Sequence, residues 1–421
     1  MEQYIKIKCG KLYDGLKPCL QENVEILICD KHIKEVGHNL ACPADTKVID
    51  ISHLTVTPGL IDAHVHTAFF DWRQLYRDII YNSPGYRTLG SYYTAQKALY
   101  GGFTTIRAVG WFSEAYELDV KKAINEGYLP GARMVVAGHV IGTSGGHGDL
   151  SQGFKTNPEL ADHLESIYPG IGNGPEFFAA AVRREKKLGS DFIKIMATGG
   201  FATPTDGPED IQLSDAEMEA LFDTAHKVHI PTTAHVYGPE LMQKLIHYGI
   251  SGCEHGSLMD NETAKLFEDT GTYLVPTFTP YQDIVEGNEE RMSCLPYEYN
   301  KKLHEYRDRL VRGREIILAS NIKLGYGTDL IIVRDNYING REYYCWLKSG
   351  ADPFRALQAA TKNNAEICGV EKITGTIEAG KFADISGWQR DLLKDPNALL
   401  DCSFVMKEGA VYQTECRLEK E

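Results

Sequence analysis

Short apolar runs alternate with amphipathic helical stretches through the middle of this 421-residue chain, while both of its ends consist of short β-like bursts. Those two textures, and a count of eight central apolar runs, predict an α/β protein: a (β/α)8 TIM barrel over residues 58–367 with a small β-sandwich domain formed jointly by segments 1–57 and 368–421. The length agrees with such a division, because single cores stop growing at roughly 250–300 residues. The apolar content of 43% is enough to fill one large core and a smaller companion.

The N-terminal bursts YIKIKCG, VEILICD and TKVIDI are separated by turn residues with no helical stretch between them, so they predict strands of a small sheet. The tail repeats that texture. GTIEAGKFADISGW combines a turn signal with a short strand, and CSFVMKEGAVYQTE predicts a hairpin turning at Glu408-Gly409. The two ends are therefore expected to pack together. Between them, strands are expected at 59–66, 104–108, 134–139, 192–196, 232–236, 252–255, 273–278 and 324–329. Helices are expected over PEFFAAAVRREKKLG, SDAEMEALFDTAHKV, PELMQKLIHYG and residues 301–320. A doubly wound sheet uses similar units, but no GxGxxG opens a helix here and the strand count suits closure. The connections 141–175, 199–212 and 276–296 are long and rich in Gly and Pro. Each follows a strand's C-terminal end, the side on which barrels build their sites, and so each is a candidate wall or lid as well as a plain surface insertion.

The balance of 44 basic against 58 acidic residues, net −14, disfavours a nucleic-acid backbone as partner. No apolar run approaches the ~18–20 residues of a membrane span. MEQYIKIKCG has no apolar core of a secretory signal. The ten cysteines are scattered without a CxxC pair, so a disulfide framework is not expected and a cytoplasmic location is.

Polar groups recur at the ends of otherwise apolar strands: His64 and His66 in LIDAHVH, Lys194 in DFIKIMATGG, His235 in PTTAHVYG, His255 in GCEHG and Asp329 in LGYGTD. Isolated charges buried there would be costly, so they must be paired or metal-bound. His64 and His66 stand two apart in a strand, which points both imidazoles to one side and lets them grip one ion. A lysine beside divalent cations carries the wrong charge. If Lys194 reacts with carbon dioxide, the resulting carbamate offers two oxygens that bridge two metals. His235 and His255 then serve the second metal and Asp329 the first. Two divalent ions, with zinc the expected identity, would lower the pKa of a bridging water to give a nucleophile at neutral pH. Asp329 is placed to take its proton and pass it to the leaving group.

The remaining histidines are a control, since the chain has 14. His226 and His229 lie three apart in a helical stretch outside the barrel and are expected on the surface, as are His32, His38, His53, His163, His247 and His304. His139 closes the third strand and faces either the pocket or a structural partner. His147 sits in the glycine-rich GTSGGHGD loop, from which it could present an imidazole to a substrate oxygen. Tyr237, two beyond His235, is placed to donate its phenol to a substrate carbonyl or carboxylate.

PGLIDAHVH near the start of the barrel and GTIEAGKFAD near its end, with the polar strand ends between them, resemble the amidohydrolase superfamily, within it the binuclear metal-dependent peptidase-like branch of Xaa-Pro dipeptidases and imidazolonepropionase-related proteins. The resemblance covers nearly all of the chain. It implies a two-metal site on an HxH pair, a carboxylated lysine, two histidines and an aspartate, which correspond to His64, His66, Lys194, His235, His255 and Asp329. The GGH loop and HxYG segment are similar to the stretches around His147 and Tyr237, implying contact with the reacting carbonyl or the substrate's terminal carboxylate. One departure is Ala108 in TTIRAVG, where relatives often carry an aspartate after the arginine.

The expected activity is hydrolysis of the C–N amide bond of a dipeptide or N-acyl amino acid by a metal-bridging hydroxide. Cyclic amides, lactones or organophosphates are alternative substrates for the same centre. A mononuclear deaminase is a further alternative, but such enzymes lack the bridging lysine, and Glu240 in HVYGPEL sits too close to a turn to be their acid. A non-enzymatic scaffold would be expected to lose Lys194 or Asp329 first, and both are present. Arg107, Arg334, Asp206 and Tyr326 are substrate-contact candidates by position alone. Homo-oligomerisation through exposed barrel helices is a further expectation.

Overall fold

The computed structural model describes residues 2–67, 81–111, 115–154, 156–330 and 338–412. Its strands are β1 (Tyr4–Leu12), β2 (Gln21–Glu22), β3 (Glu25–Cys29), β4 (His32–Gly37), β5 (Lys47–Pro58), β6 (Leu60–Val65), β7 (Phe103–Ala108), β8 (Arg133–Val136), β9 (Val140–Ile141), β10 (Ile193–Met196), β11 (Thr232–Val236), β12 (Gly252–His255), β13 (Tyr273–Val275), β14 (Ile385–Trp388), β15 (Cys402–Lys407) and β16 (Ala410–Tyr412).

The two ends of the chain share one sheet, with strand order β16-β15-β14-β5-β1-β3-β4 and β2 on β1. The seam is the antiparallel pairing of β5 with β14, from Pro58 opposite Ile385 to Thr55 opposite Trp388. Alternation drives it: in β1, Ile7 and Cys9 turn inward onto Ile26, Val56, Ile385 and Met406 while Lys8 stays exposed. The expected hairpin turns at Glu408 (φ 51°) and Gly409 (φ 76°), the two left-handed residues that a two-residue turn of matching twist requires.

The central strands form two parallel sheets, β6-β7-β8 and β9-β10-β11-β12-β13. Nearly every residue in them is buried, the continuous apolar pattern of parallel strands covered by helices on the outside. A parallel bridge between Trp111 and His139 links the end of β7 to the β8–β9 segment, and another between Leu274 and Leu324 links β13 to the stretch that follows. Two of the predicted helices show why they form. Helix Asp215–Lys227 opens on a capping box between Ser214 and Glu217, and helix Pro175–Leu188 starts on Pro and closes on left-handed Gly189.

Three differences from the sequence expectation have physical causes. The 134–139 run divides into β8 and β9 around left-handed Gly138, so one segment pairs first with β7 and then with β10. The 273–278 run stops at Val275, before Pro276 and Thr277, whose φ of 45° leaves the strand region. The expected strand 324–329 has only the bridge at Leu324, because side chains take over much of its backbone hydrogen bonding. Asn364 Nδ2 donates to the Tyr326 and Ile61 carbonyls at 2.7 Å each, and Asp62 accepts from Thr328 N at 3.1 Å. Backbone bonds from Ala63 N to Tyr326 O (2.8 Å) and from Asp329 N to His64 O (2.9 Å) hold this stretch against β6. The long connections are not bare loops either: 141–175 contains helix Pro158–Ile167, and 276–296 contains helices Gln282–Glu286 and Glu289–Met292.

Arg133 fastens the parallel strands to the terminal sheet. Its guanidinium donates to Asp384 Oδ2 at 2.8 Å and Glu408 Oε1 at 2.9 Å, while Asp384 also accepts from Thr374 and the Glu408 amide. Among the described residues, no helix is long and apolar enough to cross a membrane.

Asp62 is fully buried and accepts four hydrogen bonds, from His64 N, Thr328 N, Thr328 Oγ1 and Asn339 Nδ2. Asp62→Ala should therefore lower stability by about 3 kcal/mol, the scale of several buried donors left unpaired. Urea unfolding of the chelator-treated protein measures this without the linkage from bound metal.

Candidate metal centre

The parallel register sets the level of the site. Met196 pairs with His235 and Val236 with His255, so adjacent strands end side by side. His64 lies on β6 and His66 just past it; the 324–329 stretch delivers Asp329 beside them. His64, His255 and Asp329 each bring one ligand atom to within 4.8 Å of one another. Asp329 Oδ1 is 3.3 Å from His66 Nε2 and 3.5 Å from His64 Nε2. The His235 ring centroid is 4.6 Å from that of His255. Lys194, 1% exposed on β10, lies within electrostatic reach of Asp329, Glu254, His64, His235 and His255. Five of the residues that the sequence singled out as ligands, His64, His66, His235, His255 and Asp329, thus gather at one end of the parallel strands, with Lys194 within electrostatic reach of them.

Burial pushes the His64 imidazole down to about 4, with the Lys194 charge adding to the effect, and drives His235 and His255 well below the usual histidine range. Neutral imidazoles are the form that binds metal. Burial opposes ionisation of Asp329, but the facing imidazoles of His64, His255 and His66 outweigh it and hold the carboxyl below its ordinary range. Burial also lowers Lys194 to about 8, against the pull of Glu254 and Asp329.

The donor set fits divalent cations. His64 Nε2 and His235 Nε2 are buried and make no hydrogen bond among the described residues, which leaves Lewis-basic atoms that a metal would satisfy. His64 Nδ1 is held by Glu254 Oε2 at 2.7 Å, which turns Nε2 toward the cluster. His255 Nδ1 is held by Thr277 Oγ1 at 2.7 Å.

His147 stacks on His235 with ring centroids 4.4 Å apart, and its Nδ1 contacts Thr203 Oγ1 and lies 3.4 Å from Asp206 Oδ2. Tyr237 stacks on His255 at 5.2 Å, and its phenolic oxygen accepts a hydrogen bond from Tyr281 at 3.0 Å. Both residues therefore border the ligand cluster.

The other candidates sort by their partners. His139 is engaged structurally, with Nδ1 2.9 Å from Glu185 Oε1. His226 and His229 are exposed, His226 against the Gly249 carbonyl. Glu240 is exposed in the first turn of helix Pro239–His247. Arg107 is buried in an ion pair with Glu254 and stacked over Phe192, and Tyr326 is buried between the Asn339 carbonyl and the Tyr343 amide. Asp206 belongs to the site only through His147. Arg334 lies outside the described residues.

Sequence reasoning passed over Glu254, Thr277 and Tyr281. Glu254 had a signal: a carboxylate inside the buried strand GCEHG demands a partner. Thr277 and Tyr281 follow a strand end with no such mark. Left-handed backbone at three non-glycine positions, His255 (φ 69°), Thr277 (φ 45°) and Asp329 (φ 46°), is also confined to tertiary structure, and it concentrates strain at the site.

The chain matches the amidohydrolase family over residues 55–415. It is 25% identical to the ochratoxinase of Aspergillus niger over 389 residues, 89% of this chain and 78% of that protein. Among solved structures it is similar to a Xaa-Pro dipeptidase with methionine bound in its active site, at a TM-score of 0.87 and 29% identity, covering 98% of this chain and 100% of that one. It is likewise similar to a prolidase in complex with N-methylphosphonate-L-proline, at a TM-score of 0.85 and 26% identity, again with 98% and 100% coverage. With a match spanning most of its length and a ligand cluster of the expected composition, the chain belongs to the amidohydrolase family.

Proposed function

We propose that this protein is a binuclear metal-dependent amidohydrolase that cleaves the C–N amide bond of a dipeptide or an N-acyl amino acid. The observation that carries the reading is the gathering of His64, His66, His235, His255 and Asp329, with Lys194 within their electrostatic reach, at one end of the parallel strands, where barrels place their sites. The two parallel sheets and the links between them are read as one (β/α)8 barrel over 58–367, and the shared terminal sheet as a β-sandwich domain built from 1–57 and 368–421. The similarity to a Xaa-Pro dipeptidase and a prolidase supports the peptide-like substrate. The cysteines among the described residues are all free, which supports a reducing, cytoplasmic setting.

His64, His66 and Asp329 would hold one ion, His235 and His255 the other, and a carbamate on Lys194 both. Zinc suits this mixture of imidazole and oxygen donors. Burial favours the neutral amine of Lys194, which forms the carbamate by bonding its nitrogen to the carbon of CO2 with release of a proton. When bound, the ions supply an activated water and polarise the scissile carbonyl. Asp329 takes the proton of the attacking water and delivers it to the departing nitrogen. Because Tyr281 donates to Tyr237, the Tyr237 hydrogen is left for the substrate carbonyl or terminal carboxylate. With Nδ1 of His147 occupied by Thr203 and Asp206, Nε2 is the nitrogen available to a substrate oxygen. A cyclic amide, lactone or organophosphate hydrolase is the second reading, since these ligands do not select among electrophiles.

Metal analysis of protein prepared with zinc and bicarbonate should give about two ions per chain, and Lys194→Ala should lose metal and about 100-fold or more of the turnover. Full occupancy and rate in that variant would remove Lys194 from the centre. Glu254→Gln keeps the shape but weakens the grip on His64, so metal affinity in a chelator competition should fall by about 10–100-fold. A panel of dipeptides and N-acyl amino acids varied at the C-terminal residue, run beside lactones and ring amides, tests the substrate class. Turnover confined to the lactones and ring amides would replace the first reading with the second.

A further inference from the structure

The 199–212 loop packs against the edge of the His147 ring, whose face stacks on His235. Thr203 Oγ1 and Asp206 contact His147 Nδ1, Gln212 Oε1 accepts from the His147 amide at 2.9 Å, and Gln212 Nε2 donates to Asp206 at 3.2 Å. Gly200 presses on the ring so closely that a Cβ there would lie 2.2 Å from His147 Cε1. The loop has no helix of its own; its base is closed by an antiparallel bridge between Thr198 and Ile211 and by the Gly199 amide donating to the Asp210 carbonyl at 3.0 Å, and a further element grips its tip.

That element is helix Tyr297–Ala319. The ammonium of Lys302 donates to three backbone carbonyls of the loop, those of Gly200 (2.9 Å), Thr203 and Asp206, and lies 3.8 Å from Asp206 Oδ1. One and two turns further along the same face, Tyr306 packs edge-on against Phe201, and Arg309 forms a bidentate pair with Glu209 at 2.6 and 2.7 Å. Lys302 is only 13% exposed, so its charge is spent on the loop and not on solvent.

We propose that Lys302 is the positioning residue of His147: by gripping the carbonyls of residues 200, 203 and 206 it fixes Thr203 and Asp206, which in turn set the orientation of the imidazole over the metal cluster. Its importance for turnover rests on the reading of His147 as a substrate-contacting group, whereas the positioning itself does not.

Histidine-selective 15N spectra of the zinc-loaded protein test it, with His147→Gln identifying the His147 signals. In Lys302→Met the His147 nitrogens should shift or broaden while those of His235 and His255 stay in place, and Lys302→Arg should restore them. Amide exchange across 199–212 should rise about tenfold in Lys302→Met, with the strands at 232–236 and 252–255 unaffected. An unmoved His147 signal overturns the proposal, and so does a common shift of all the site histidines, which would report general loosening. If Lys302→Met does not fold, Lys302→Gln keeps a polar head group but removes the ammonium and its three-carbonyl grip, and should speed exchange in the same loop and shift the His147 signals; an unchanged loop there overturns the proposal. Activity of His147→Gln is read separately: wild-type kinetics would remove the substrate role of His147 and leave the positioning by Lys302 standing.

Discussion

Taking a carboxylate out of water costs several kcal/mol unless charge and hydrogen bonds replace the lost solvent. Glu254 is completely buried, and three partners make that replacement: Arg107 at 2.9 Å, His64 Nδ1 at 2.7 Å and Thr233 Oγ1 at 2.6 Å. Arg107 is itself buried and tied to the Ala63 carbonyl, the Tyr273 hydroxyl and the Phe192 ring. One ionic contact therefore spans β6, β7, β11, β12 and β13. It stabilises their packing only while every member is present, and it fixes the tautomer of the first candidate ligand.

The face above that contact has a different character. The candidate ligands sit on or just beyond the C-terminal parts of the strands, and the backbone of His255, Thr277 and Asp329 is left-handed there. Such conformations cost of order 1–3 kcal/mol each and persist only where the surroundings impose them. Asp62 imposes one, through the Thr328 amide and hydroxyl beside Asp329. Glu342 imposes another, accepting from the Phe278 and Thr279 amides, the Thr279 hydroxyl and the Trp346 indole just after Thr277. Chemistry at the rim thus depends on buried carboxylates beneath or beside it that never meet a substrate.

The two bordering residues, His147 and Tyr237, stack on strand histidines, but their polar atoms are held from long connections. Tyr281 in the 276–296 connection reaches Tyr237, and the 199–212 loop reaches His147. Variation in those connections would retune what enters the site without disturbing the ligands, which is how one scaffold serves different substrates.

By itself the sequence determined the alternation of buried strands and amphipathic helices, the joining of both chain ends, the hairpin at Glu408-Gly409 and the polar residues toward the strand ends, of which His64, His66, His235, His255 and Asp329 come together. Those features are legible because each depends on local periodicity, on turn chemistry, or on a polar side chain standing in an apolar run where burial leaves few alternatives. Only the tertiary structure decided that 324–329 runs along β6 with side chains taking much of its backbone bonding, that Glu254 binds Arg107 and His64, and that Lys302, 155 positions after His147 by subtraction of their numbers, grips the loop that holds it. These contacts join residues remote in sequence through hydrogen bonds whose partners no local pattern names, so they exist only once the chain has folded.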